Sequence, residues 1–322
     1  MQIFIAVLSL VVGGLAAVPA LAQPWPSKPI HMVIPYPAGG SVDLSGRRLM
    51  EDLAAELGQP VVVENRSGAN GIIGTGIVAK AAPDGYTMLV STLAAHAGNP
   101  SAVKSLPYHP INDFAPVTVI NSVPLVLIAL PSFPAQTVAD VVRLAKEQSG
   151  RITYASYGTG SMAHLAGVQL ELRGGVKMLH VPYKGGAPAL ADVLGGHVQI
   201  FFSGINSTLA HIKAGRLRAL AVSGTARSKA LPDVPAVAET YPGYEAGVSP
   251  AVWFPAGTPH EIVSRMHDAV VKVINTPKFR QVVERDGESD PIGNKPEEMA
   301  AMVKKDLERY ATLMQAGGIK PE

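Results

Sequence analysis

The alternation of short apolar runs with longer amphipathic stretches constrains the fold of this chain most strongly. Apolar runs bounded by turn residues are separated by helical patterns, which is typical of βα units around a parallel sheet. The first series runs from a predicted strand over 30–35 to one over 86–91. After a proline-rich passage that ends at Pro131, the alternation restarts with a predicted helix over 137–148 and a strand over 152–155. The sequence therefore predicts two α/β units.

The end of the chain is helical and adds little further sheet. Helices are predicted over 261–275, 278–285 and 296–314, and a strand-like run over 251–254 precedes them. Because these helices must pack on an existing sheet, we expect that run to return the chain to the first unit. The predicted fold is α/β, with two lobes, each a sheet flanked by helices, and two crossing hinge segments beside a cleft. We predict lobe 1 over 23–125 and 250–322, and lobe 2 over 126–249.

The first residues indicate export. Residues 3–18 form one apolar run, Pro19 interrupts it, and Ala20-Leu21-Ala22 provides a small-x-small site before Gln23. A membrane anchor is the competing interpretation. An anchor needs about 20 apolar residues, whereas this run is shorter and ends in a cleavage-like sequence. We therefore predict a signal peptide over 1–22, cleaved after Ala22, and a periplasmic protein.

Composition excludes several classes of function. The chain has no cysteine, which excludes disulfides, a lipidated amino terminus, thiolate metal sites and thiol nucleophiles. Its formal charge is only +2, so no overall field attracts nucleic acid or a lipid surface. The histidines form no H-E-x-x-H motif, and the two G-x-G-x-x-A patterns, at Gly74 and Gly158, lack the acidic partner of a dinucleotide site. We expect a monomer with no metal, no cofactor and no nucleic-acid partner.

The most informative motif is a glycine-rich turn between the first predicted strand and helix. It consists of Pro37-Ala38-Gly39-Gly40-Ser41-Val42-Asp43. Ser41 or Asp43 is expected to cap the helix. The free N–H groups at the helix start, together with the helix dipole, form an anion site without a cationic side chain. The alternative is that Gly39 and Gly40 only make a tight turn.

A second turn of the same kind favours the interpretation of the first turn as part of an anion site. Tyr157-Gly158-Thr159-Gly160-Ser161 follows a predicted strand and opens the helix that carries His164. If both turns line one cleft, they present two sets of backbone amides to a ligand with two polar ends. A third glycine-rich loop, over 67–74, is a candidate to close over the ligand.

Several of these side chains have plainer interpretations. Tyr36 and Tyr157 either stack on a ligand or pack within the lobes. His164 either reaches the cleft or serves in packing or capping, and Arg47 is placed to pair with Asp43 along one helix. A secreted hydrolase that uses Ser161 and His164 is a further hypothesis, but neither an orienting acid nor a G-x-S-x-G elbow accompanies them. We therefore predict no catalytic residues.

Motifs spread over the whole mature chain resemble the Bug family of periplasmic solute receptors, the binding proteins of tripartite tricarboxylate transporters. They are Lys28-Pro29-Ile30, Val33-Ile34-Pro35 with Pro37, Gly39, Gly40, Asp43 and Arg47, Gly58-Gln59-Pro60, Gly68-Ala69, Pro83-Asp84-Gly85-Tyr86, His180-Val181-Pro182-Tyr183-Lys184-Gly185-Gly186, Leu231-Pro232-Asp233-Val234-Pro235 and Pro255-Ala256-Gly257-Thr258-Pro259. The resemblance implies a two-lobed Venus-flytrap receptor for a small organic acid, with membrane transporter subunits as partners.

The resemblance also implies a ligand site made largely of backbone amides. The first set is Ala38 to Ser41 with Asp43, and the second is Gly158 to Ser161 with His164. Ser91 and Thr92, at the end of the third strand, complete the wall of the first lobe.

Three departures from the family pattern bear on the ligand. Ala38 stands where the family usually has proline, and Ser249-Pro250-Ala251 replaces an aromatic-rich stretch. Ser203, which we include in the site, stands where many relatives carry aspartate, and this argues against a ligand ammonium group. A receptor that signals through a membrane sensor kinase is the alternative to transport, and the neighbouring genes would distinguish the two.

Overall fold

The computed structural model of the protein describes residues 25–321. The predicted signal peptide and its cleavage site lie outside these residues. The described strands are β1 (Ile30–Ile34), β2 (Val61–Asn65), β3 (Thr87–Thr92), β4 (Phe114–Val119), β5 (Val123–Ala129), β6 (Thr153–Ser156), β7 (Leu179–Pro182), β8 (Ile200–Gly204), β9 (Arg218–Val222), β10 (Gly247–Val248) and β11 (Pro250–Pro255).

The described helices follow the predicted alternation. They are α1 (Ser41–Leu57), α2 (Ile72–Ala79), α3 (Leu93–Ala102), α4 (Val138–Glu147), α5 (Met162–Gly174), α6 (Gly186–Leu194), α7 (Ile205–Lys213), α8 (Val237–Thr240), α9 (His260–Ile274), α10 (Pro277–Arg285) and α11 (Pro296–Ala316). A single 3-10 turn, Ala69–Gly71, precedes α2. Within residues 25–321, no helix combines the length and apolar character that a membrane crossing requires.

The first lobe is built on a sheet with strand order β2-β1-β3-β11-β4. Strands β1, β2 and β3 are parallel, and β11 is antiparallel to both β3 and β4. Side chains alternate between the two faces of the sheet along each strand. Both faces are buried, and each packs in a different core. Met32 and Ile34 of β1 pack in the same core as Leu49 of α1, whereas Val33 packs in a second core with Val303 of α11.

The second lobe is built on a sheet with strand order β10-β5-β8-β6-β7, in which β9 also pairs with β5. Strands β6, β7 and β8 are parallel, and β5 is antiparallel to β8 and β9. Helices α4 to α8 belong to this half of the chain. The two-lobed α/β prediction, with each sheet flanked by helices, is confirmed.

The chain crosses between the sheets twice in the described region. One crossing lies between Val119 of β4 and Val123 of β5, and the other between Val248 of β10 and Pro250 of β11. The predicted return of the chain to the first sheet through residues 251–254 is confirmed, because β11 lies between β3 and β4. The boundaries assigned to the lobes remain a prediction.

Three helices, α3, α7 and the four-residue α8, were not predicted from the sequence. Helix α3 contains Gly98 and Pro100 and is buried on nearly every side, so it has no polar face to reveal a helical period. Thr92 caps it by accepting a hydrogen bond from Ala95 N at 3.0 Å. Helix α7 is short and follows β8 directly at Gly204, so the sequence pattern does not separate it from the strand.

Candidate functional site

A narrow cavity of about 30 Å³ lies between the two lobes. Its lining residues are Tyr36, Gly40, Ser41, Val42, Asn70, Thr92 and Ala95 from the first lobe, Tyr157, Ser161, Met162 and Gly186 from the second, and Val248 beside a crossing segment. The volume corresponds to about one water molecule. A ligand with several carbon atoms therefore needs the lobes to part or the lining side chains to move.

Several helices begin at this cavity. Gly40 is the N-cap of α1, Thr92 of α3 and Ser161 of α5, and α6 starts at Gly186. Each helix start directs unpaired N–H groups and the positive end of a dipole toward the space between the lobes. The lining residues include no Asp, Glu, Lys, Arg or His among the described part of the chain. The cavity thus favours an anion through backbone groups alone.

The first glycine-rich turn is held by a buried carboxylate. Asp43, only 2% exposed, accepts hydrogen bonds from Gly39 N at 2.9 Å, from Arg47 Nε at 2.9 Å and from Asn65 Nδ2 at 2.8 Å. Gly39 has a φ of +79°, a conformation that favours glycine. Asp43 therefore shapes the turn and does not line the cavity.

The predicted helix cap was wrong. Gly40, rather than Ser41 or Asp43, is the N-cap of α1, and no side chain caps the helix. Consequently the buried Ser41 Oγ has no hydrogen-bond partner among residues 25–321. The N–H groups of Ser41 and Val42 likewise have no acceptor in this region. These unpaired donors all belong to residues that line the cavity.

The second glycine-rich turn uses its amides within its own lobe. Gly158 N donates to Ser156 Oγ at 3.1 Å, Gly160 N donates to His164 Nδ1 at 3.1 Å, and Ser161 N donates to Gly158 O at 3.1 Å. These three amides already have acceptors within the lobe, so their availability to a ligand, as predicted from the sequence, requires those bonds to be given up. From this turn, only Tyr157 and Ser161 line the cavity.

Two stacked histidines support the second turn. The rings of His164 and His180 are parallel, with centroids 3.7 Å apart. Burial, together with the neighbouring His180, lowers the pKa of His164 to about 3, and burial lowers the pKa of His180 to about 4. Both rings are therefore neutral near pH 7. His180 Nε2 bonds to Ser156 Oγ at 2.6 Å, so each histidine fixes one part of the turn.

The hydrolase hypothesis requires a hydrogen bond between the Ser161 hydroxyl and the His164 ring. Ser161 Oγ instead accepts from His164 N at 3.4 Å, as a helix cap. His164 Nδ1 accepts a hydrogen bond from Gly160 N, and the ring stacks on that of His180. The geometry of a serine nucleophile with its base is not formed.

Both predicted tyrosines line the cavity and also pack within the protein. Tyr36 Oη lies 3.5 Å from Ser91 Oγ, and burial raises the pKa of Tyr36. Tyr157 Oη accepts a hydrogen bond from Gly204 N at 2.8 Å, and burial raises the pKa of Tyr157 to about 12. Because the Tyr157 oxygen accepts from Gly204, its own hydrogen can be donated to the neighbouring Ser203 hydroxyl or to a ligand.

The structure brings six of the predicted site residues to the cavity. They are Tyr36, Gly40, Ser41, Thr92, Tyr157 and Ser161. The other predicted residues, which do not line it, are Ala38, Gly39, Asp43, Ser91, Gly158, Thr159, Gly160, His164 and Ser203. Ser203 is buried on β8, with its hydroxyl 3.3 Å from Ser207 Oγ.

Sequence reasoning missed six lining residues. They are Val42, Asn70, Ala95, Met162, Gly186 and Val248. Two of them could have been identified from sequence features. Asn70 lies in the loop predicted to close over the ligand, and Gly186 ends the Tyr183-Lys184-Gly185-Gly186 motif. Apolar residues at the starts of helices, such as Val42 and Met162, carry no comparable signal.

The profile of the family described as the tripartite tricarboxylate transporter family receptor matches residues 46–319. The chain belongs to this receptor family. The receptor is 36% identical over 309 residues to Protein BugT of Bordetella pertussis, which covers 95% of this chain and 94% of BugT. The predicted relationship to the Bug proteins is confirmed.

Solved structures agree with this assignment. The periplasmic binding protein BugD superimposes with a TM-score of 0.88 at 34% identity, covering 92% of the receptor and 100% of BugD. The R. palustris protein Rpa4515, solved with adipate, superimposes with a TM-score of 0.89 at 32% identity, covering 92% and 100% of the two chains. The receptor's family and structural neighbours are solute-binding proteins rather than enzymes.

Proposed function

We propose that this receptor captures a small carboxylate between its lobes and delivers it to the membrane subunits of a tripartite tricarboxylate-type transporter. One observation carries the proposal: several helix N-termini converge on a cavity whose described lining contains no acidic side chain. Such an arrangement attracts an anion without a cationic residue. The adipate found with Rpa4515 supports a carboxylate as that anion.

The groups that would hold the carboxylate belong to both lobes. On the first lobe, the N–H groups of Ser41 and Val42 and the Ser41 hydroxyl are unpaired within the described residues. On the second, the Tyr157 hydroxyl has a hydrogen to donate. Hydrogen bonds to a charged group contribute about 1.5–3 kcal/mol each, so a few of them suffice. We expect Asp43 and His164 to act indirectly, by holding the turns.

Ser203 bears on the class of acid. It is a buried neutral residue that hydrogen-bonds with Ser207. A ligand ammonium group would need a carboxylate nearby, and the described cavity lining offers none. We therefore favour organic acids without an amine.

The proposed route to the periplasm uses the predicted signal peptide. Cleavage after Ala22 would release a mature monomer, with lobe 1 over 23–125 and 250–322 and lobe 2 over 126–249. Amino-terminal sequencing of protein recovered from the periplasm tests the cleavage site directly. A retained leader would contradict it.

Calorimetric titration of the mature receptor with adipate, succinate, citrate, benzoate and glutamate tests the binding function. At least one acid without an amine should bind. The Ser41→Ala variant should weaken that binding about ten- to hundredfold, because one hydrogen bond to the anion is lost. Ser105→Ala, at an exposed position, is the matched control and should bind like the wild type. Absence of binding by every acid would contradict the proposal.

A further inference from the structure

Asn70 lies where the two lobes meet. It belongs to the 3-10 turn before α2, has φ 48° and ψ 40°, and is only 7% exposed. Asparagine tolerates this left-handed conformation better than most residues. The second lobe approaches it closely, because a Cβ added to Gly158 would lie 3.4 Å from Asn70 Cβ. Asn70 is thus a lining residue held in one place by its backbone and by the facing lobe.

A buried partner determines which way the Asn70 amide faces. Asn99 Nδ2 donates to the backbone oxygen of Asn70 at 3.3 Å, and that oxygen can only accept. The amide nitrogen of Asn99 is therefore identified, and Asn99 Oδ1 is left to accept from Asn70 Nδ2 at 2.8 Å. Oδ1, the acceptor atom of the Asn70 amide, is therefore not engaged by Asn99.

This oxygen is an acceptor in a cavity that otherwise presents donors. The N–H groups at the start of α1, the Ser41 hydroxyl and the Tyr157 hydroxyl can all donate to an anion. A carboxylate oxygen cannot pair with Asn70 Oδ1, since both are acceptors. A ligand hydroxyl can pair with it, and a buried polar group is stabilised only when it finds such a partner.

We propose that Asn70 is a specificity-determining residue that selects carboxylates bearing a hydroxyl group over the corresponding acids without one. The proposal rests on the proposed function, because it concerns the same cavity. A neutral amide oxygen suits a neutral hydroxyl. The absence of an acidic residue from the described lining excludes a strong preference for an ammonium group at this point.

Matched acids provide the test. Calorimetry would compare malate with succinate, 3-hydroxybutyrate with butyrate, and 4-hydroxybenzoate with benzoate on the wild-type receptor. In at least one pair, the hydroxylated acid should bind at least tenfold more tightly. Asn70→Gly removes the amide and tolerates the left-handed backbone. This variant should reduce the preference to less than threefold, mainly by weakening the hydroxylated acid.

Two further variants separate specificity from folding. Asn112→Gly, at an exposed position, is the control and should keep the wild-type preference. Asn70→Asp keeps an acceptor but adds a charge, and should weaken both acids of a pair while preserving their order. Acids that bind without any hydroxyl preference, or a preference that survives in Asn70→Gly, would overturn the assignment of Asn70. A wild-type receptor that binds none of the acids would contradict the proposed function itself.

Discussion

The carboxylate of Glu288 accepts a hydrogen bond from the amide of Asn206 at 3.0 Å, joining the segment after α10 to the second lobe. The same carboxylate accepts from Arg48 of α1 at 3.0 Å and from Asn121, in a crossing segment, at 2.5 Å. Asn206 also donates to Ser41 O at 3.3 Å. A fully buried side chain therefore connects both lobes and the hinge, close to the cavity.

Replacing Glu288 should destabilise the fold markedly. In Glu288→Ala, the mostly buried Arg48 keeps only Asp286 as an acidic partner. Removing one member of a buried pair costs about 3 kcal/mol or more, which urea denaturation would detect. Glu284→Ala is the control: Glu284 pairs with Lys229 at a site where the two side chains are 62% and 81% exposed. Its effect should stay below about 1 kcal/mol, and equal losses in the two variants would contradict this account.

A methyl group at Gly204 should keep the lobes from closing as they do here. Its Cβ would lie 2.6 Å from Ser41 Oγ, across the cleft, although Gly204 has an ordinary φ of −57°. Gly204→Ala should fold, show a larger radius of gyration in solution scattering, and bind the carboxylate at least tenfold more weakly. Gly76→Ala, whose Cβ would lie 3.6 Å from its nearest neighbour, is the matched control. Unchanged affinity in Gly204→Ala would show that the bound form does not use this contact.

His96 should make the receptor sensitive to acid. Its ring is stacked on Trp253 at 4.2 Å, and neither ring nitrogen has a partner in the described region. Burial lowers the pKa of His96 to about 3. The unfolded chain takes up this proton below pH 6.5, whereas the folded protein takes it up only near pH 3. The stability that neutral His96 contributes is therefore complete above pH 6.5 and is lost as the pH falls toward 3.

The variant His96→Phe isolates that effect. Each pH unit below 6.5 costs about 1.4 kcal/mol, so the variant should lose about 2 kcal/mol less than the wild type between pH 7 and pH 5. Urea denaturation at the two pH values measures the difference. The exposed His31→Phe variant should follow the wild type. Parallel losses in wild type and His96→Phe would refute this explanation.

Asp43 should support ligand binding without lining the cavity. Asp43→Ala removes the acceptor for Gly39 N, Arg47 and Asn65, so the first turn loses its support. We expect carboxylate affinity to fall at least tenfold, with an unfolding free energy lower by about 1–3 kcal/mol. Asp52→Ala, which removes only an exposed pair with Lys278, should leave affinity unchanged. Wild-type affinity in Asp43→Ala would remove Asp43 from the binding machinery.

Local sequence patterns were sufficient to predict most of the fold. The alternation of apolar runs and amphipathic stretches predicted the strands except the short β10, the helices α1, α2, α4 to α6 and α9 to α11, and the return of the chain through β11. Helix α3 was missed because it is buried on most sides and has no polar face. Helix α7 was missed because it follows a strand directly, and α8 because it is only four residues long. The two glycine-rich turns were found because positive φ angles and helix starts leave a local signature.

By itself, the sequence determined the lobes, the turns and the family of this receptor. Only the tertiary structure decided which amides remain available. Amides of the second turn are hydrogen-bonded to the side chains of Ser156 and His164. The orientation of the Asn70 amide depends on Asn99, 29 residues away. Periodicity and turn chemistry depend on neighbours along the chain, whereas hydrogen-bond pairing and burial depend on segments that meet only after folding.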